Sequence, residues 1–141
     1  MHVSPLLAPV VALVAWTLLM LIWMAARRFP MLKGREIPDG ARGADLERAM
    51  PGPGHWPSHN YSHLLEQPTL FYAIVLSLVL MGFDHPINVY LAWGYVAIRI
   101  VHSIVQATVN RVSVRFPLFL LSTLCLVGLT VHAAIFLIHH G

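Results

Sequence analysis

Tyr95 to Arg115 reads YVAIRIVHSIVQATVNRVSVR, an apolar run broken at Arg99, His102, Gln106 and Asn110, with intervals of three, four and four. On a helix those intervals put all four side chains on one face. An arginine at the centre of a membrane helix costs about 2.5–3.5 kcal/mol on insertion scales. A cost of that size calls for compensation on the same face: an opposite charge, a wet cavity or a bound anion.

The composition around this stretch is that of an integral membrane protein. Of 141 residues, 57% are hydrophobic and 11% charged, and the mean hydropathy is +0.70. Soluble domains carry about 25% charged residues. The formal charge of +3 therefore says less about partners than the placement of the charges does, and no nucleic-acid partner is expected. Cys125 is the single cysteine, so no intrachain disulfide can form.

Four spans follow from the apolar runs, at about 5–26, 63–82, 87–107 and 117–137, making one all-α, four-helix membrane domain. The first run is roughly 22 residues, longer than the apolar core of a signal peptide, and its basic residues follow it. It reads as a retained span. Between it and the second lies the one long polar segment, 27–61, whose prolines and glycines predict a loop, with one or two helical turns at Ala44 to Met50. The segment is either a solvated connection or an ordered lid. Pro68 predicts a kink early in the second span, and Pro117 suits a helix start. Arg27, Arg28, Lys33, Arg35, Arg42 and Arg48 lie in the first connection, and Arg111 and Arg115 in the third. The positive-inside rule puts these connections in the cytoplasm and both termini outside.

Several polar residues could carry chemistry. Glu66, about one turn inside the second span, needs a cationic partner, and Arg99 is the first candidate. That pair could simply fix helix register, or it could hold an anionic or zwitterionic ligand in a pocket open to the cytoplasm. Arg111 and Arg115, spaced i, i+4, could snorkel to the interface. Equally, they could extend the polar face and favour an ionised thiol, which is the nucleophilic form. His59, His63 and Glu66, with His102, make a conceivable metal set, but prolines bracket the segment and there is no second histidine box.

In sum, this pattern resembles the MAPEG family, the membrane-associated proteins of eicosanoid and glutathione metabolism, in its bacterial-type members. The resemblance rests on His63-Leu64-Leu65-Glu66 followed by Pro68, where the family shows Asn-x-x-Glu and proline. It rests equally on Arg99, His102 and Gln106 with Arg111 and Arg115 beyond, where the family shows Arg-x-x-His-x-x-x-Tyr and further arginines. It implies a homotrimer in a bacterial inner membrane, with glutathione bound as co-substrate between protomers and a small hydrophobic substrate arriving from the lipid. Glu66, Arg99, His102, Arg111, His63, His59, Gln106 and Arg28 would line the glutathione site, and Arg115 would stabilise the thiolate. His63 replaces an asparagine and Gln106 a tyrosine, which changes donors and acceptors at the ligand. The expected activity is a glutathione-dependent transferase or peroxidase. A non-enzymatic lipid- or partner-binding protein on the same scaffold is the alternative, and a metal-dependent membrane enzyme a third.

Overall fold

The computed structural model describes residues 3–32, 47–48 and 52–141, and among them every regular element is helical. Helix α1 spans Leu7–Leu32. A 3-10 turn at Pro53–His55 leads into α2, Trp56–Glu66, and then α3, Pro68–Leu80. Helices α4, Pro86–Thr108, and α5, Val112–His140, complete the bundle. Among the described residues four stretches of 24, 28, 23 and 29 residues are long and apolar enough to cross a membrane, the second running from the 3-10 turn at Pro53 through α2 and α3.

Each helix buries one stripe. Leu64, Phe71, Val75 and Leu78 line the inner side of α2 and α3, and Ser122, Leu126, Leu129 and Ala133 that of α5. These intervals of three, four and seven are helical repeats. Leucines, isoleucines and valines point outward along much of the rest, as lipid-facing surface requires. Helices α4 and α5 approach closely. A Cβ on Gly94 would meet the Cys125 sulfur at 3.5 Å, and one on Gly128 would meet a Leu91 methyl at 3.2 Å.

The helices run further than the apolar runs do. Helix α1 continues past Ala26 through Arg27 and Arg28 to Leu32, with Pro30 inside its last turns. Packing explains this: Arg28 Nη2 donates to Ser58 Oγ at 2.9 Å, fastening the end of α1 to the start of α2. The second span begins near Trp56 instead of His63, because Pro57 occupies the opening positions of α2, where a missing N–H costs nothing. Glu47 and Arg48 are helical; the rest of the expected turns at Ala44 to Met50, and the question of a lid, lie outside the described residues.

Pro68 interrupts the second span without bending the chain away. Gln67 keeps helical angles (φ −62°, ψ −40°), so the break is a missing hydrogen bond more than a change of course. The Gln67 side chain spans the break: its Nε2 donates to Thr123 Oγ1 at 2.9 Å, and Tyr95 Oη donates to its Oε1 at 3.2 Å. One amide thus ties the break to both α4 and α5.

The largest departure concerns the fourth span. Helix α5 starts at Val112, not at Pro117, which falls inside it. Asn110 adopts φ 53° and turns the chain over, with its N–H on the Val105 carbonyl. Asparagine tolerates this left-handed conformation, which closes many helices. Asn110 and Arg115 are therefore not continuations of the α4 face. Arg115 sits in the first turns of α5 and looks back across at α4.

Candidate functional site

Helix α4 buries an unusually polar stripe for a membrane helix. Arg99 is 0% exposed, His102 2%, Ser103 0% and Gln106 6%. The facing stripe of α2 carries Asn60, 1% exposed, and His63. Arg99 Nη2 lies 2.7 Å from His63 Nδ1. Because guanidinium only donates, His63 Nδ1 must be the acceptor, which leaves the ring's hydrogen on Nε2 when it is neutral. The His63 ring stacks on His102 with centroids 5.1 Å apart and planes at 17°. Phe119 from α5 closes against His63 at 5.7 Å.

These rings border a cavity of about 290 Å³ between α2, α4 and α5. Its polar lining is His63, His102, Gln106 and Arg115, and Phe116 and Phe119 form an apolar wall. Arg115 Nη1 donates to Asn110 Oδ1 at 2.7 Å, so the turn residue also aims the guanidinium. The cavity is thus positive and donor-rich on one side and aromatic on the other.

Burial without partners sets this region apart. Arg99 Nε and Nη1, His102 Nδ1, Gln106 Oε1, Ser103 Oγ and both amide atoms of Asn60 are enclosed and make no hydrogen bond among the described residues. Each such atom carries a desolvation cost of about 1–3 kcal/mol if left alone. So dense a group marks a place built for water or a polar ligand. Asn60 and Ser103 escaped the sequence reading. The signal was present: Asn60 lies three residues before His63, and Ser103 four after Arg99, on the same faces.

The remaining expected residues lie elsewhere. Glu66, expected beside Arg99, is exposed on α2, and His63 takes its place as the arginine's partner. Arg111 is exposed at the start of α5. His59 Nε2 pairs with Glu47 Oε2 at 2.9 Å, and that hydrogen bond holds the Glu47 carboxyl below its ordinary range. Arg28 is spent on Ser58. Among the described residues no three metal-ligating side chains converge, since His59 and His63 are engaged with different partners.

Asn110 offers a clean test of how Arg115 is aimed. Asn110→Ala forces an ordinary residue to φ 53° and destabilises the protein by about 1–2 kcal/mol. Asn110→Gly removes the side-chain contact but suits the backbone, so thermal unfolding in detergent should return close to that of the parent. Equal losses for both variants would mean that the side-chain bond, not the backbone, holds the turn.

No characterised protein and no solved structure matches the chain at a significant level. A sequence profile described as the MAPEG family matches residues 6–135. The match runs from the foot of α1 to the last turns of α5 and takes in every residue that borders the cavity, and on that evidence the chain belongs to the MAPEG family.

Proposed function

We propose that the protein is a glutathione-dependent transferase or peroxidase acting on hydrophobic electrophiles. The observation that carries this reading is Arg99: a wholly buried guanidinium whose Nε and Nη1 have no partner among the described residues, next to His63 and His102, which border the same cavity as Arg115. Two cations with spare donors fit the carboxylates and thiolate of glutathione, which is a co-substrate here and not a resident group.

In this reading Arg99, His63, His102 and Gln106 hold the tripeptide. The Arg115 guanidinium stabilises the thiolate as the thiol proton leaves to water. The sulfur lone pair attacks the electrophilic carbon while the leaving group departs with its bonding pair. Phe116 and Phe119 provide the apolar wall against which a membrane-soluble substrate lies. Glu66 and Arg111, exposed on the protomer, then face a neighbouring copy in a homotrimer and complete the site from outside. Arg27, Arg28, Arg111 and Arg115 share one end of the bundle, which supports a cytoplasmic placement of that end, with both termini outside in an inner membrane.

Titrating the purified protein with glutathione, while following thiolate absorbance in the ultraviolet, tests this directly. The expected result is a saturable thiolate signal at neutral pH and conjugation of a generic aryl halide. Saturable binding of lipid with no thiolate signal would instead favour a non-catalytic lipid-binding role for the same scaffold.

A further inference from the structure

The far end of the bundle holds a second, separate arrangement. Asn88 is wholly buried, and both ends of its amide are engaged. Its Nδ2 donates to the Phe83 carbonyl at 3.3 Å, and its Oδ1 lies 2.8 Å from His132 Nδ1. A carbonyl only accepts, so the amide nitrogen must face Phe83 and the amide oxygen His132. That oxygen also only accepts, so His132 Nδ1 carries the hydrogen. In the neutral ring, Nε2 is then left with a free lone pair.

His132 and Asn88 border a cavity of about 230 Å³ together with Phe83, His85 and Ile87. His85 cannot supply the acceptor: its Nδ1 already receives the Ile87 N–H at 3.2 Å, which places the hydrogen of its neutral ring on Nε2. The wall is aromatic, with Phe83 stacked on Phe136 at 4.6 Å. The hollow is open on one side, and its volume exceeds the about 150 Å³ in which a closed apolar cavity holds benzene. Asn88 and Gln106 are 18 residues apart on one helix, about 27 Å at 1.5 Å per residue, so this cavity is distinct from the one beside Arg115.

We propose that this is a binding site for a single-ring aromatic alcohol, with His132 Nε2 accepting the hydroxyl hydrogen and the ring lying against Phe83. Asn88 is a positioning residue: it fixes which ring nitrogen of His132 is left to accept. The occupant is a phenol-like amphiphile of the kind that concentrates at a membrane interface, where an apolar body and a polar tip are both accommodated.

The full-length protein, labelled with nitrogen-15 in its histidines and held in lipid nanodiscs, is titrated with phenol and separately with anisole. Phenol should move the His132 Nε2 resonance saturably towards the hydrogen-bonded position. Anisole keeps the ring but has no donor, and should bind at least about tenfold more weakly. His132→Phe assigns the signal and should abolish the phenol response. His132→Gln, which keeps an acceptor oxygen, should retain part of phenol's preference over anisole in a competition measurement. Equal responses to phenol and anisole, or a phenol response that never saturates, would overturn the proposal.

Discussion

Arg115→Leu should slow conjugation of glutathione to an aryl halide by about 10²–10³-fold, the loss typical when one donor is removed from a developing anion. Much of the glutathione affinity should survive, because Arg99, His63, His102 and Gln106 stay in place on α2 and α4. The ultraviolet thiolate signal should vanish at pH 7 and return only as pH rises towards the ordinary thiol range of about 8.5. That direction follows from the sign of the charge. A cation beside the sulfur favours its ionised form, so removing the cation restores the proton at neutral pH. Arg115→Lys should fall between the two, since it keeps the charge but not the planar fork that reaches Asn110. A parent-like thiolate signal in Arg115→Leu would remove this residue from the chemistry.

Arg99→Met should separate ligand binding from stability, moving them in opposite directions. Among the described residues the guanidinium has one hydrogen bond, to His63, and two enclosed nitrogens with none. An uncompensated buried charge costs several kcal/mol to desolvate, and an apolar side chain of similar size removes that cost, which outweighs the one hydrogen bond lost to His63. The unliganded variant should therefore unfold at or above the temperature of the parent. Glutathione should no longer raise that temperature, because charge-assisted hydrogen bonds worth about 1.5–3 kcal/mol each have gone. A variant that fails to fold in the absence of ligand would identify Arg99 as a structural strut. Calorimetry with and without glutathione distinguishes the two outcomes.

The architecture was legible because membrane helices announce themselves by length and because the α4 face repeats at helical intervals. Arg99, His102 and Gln106 share that face in space as their spacing implied. Helix ends were harder to read. Prolines at 30 and 117 look like boundaries in the sequence, yet both lie inside helices, whereas Pro57 does open one. The pairing of Arg99 was beyond the sequence for a different reason. His63 and Glu66 lie three residues apart, so their directions differ by only about 60° at 100° per residue. Which of them meets α4 depends on how α2 rolls, and burial of Asn60 and Leu64 sets that roll. Asn110 likewise looked like one more polar residue on a helix, although its left-handed backbone is what places Arg115 opposite Arg99's face.

Gly94 and Gly128 mark where α4 and α5 pack against each other closely. The missing side chains let the two helices draw together between Asn88 and Gln106, with one cavity towards each end of α4. A side chain at Gly128 would press on the facing helix, so Gly128→Ala should loosen the seam between the two cavities by pushing on Leu91.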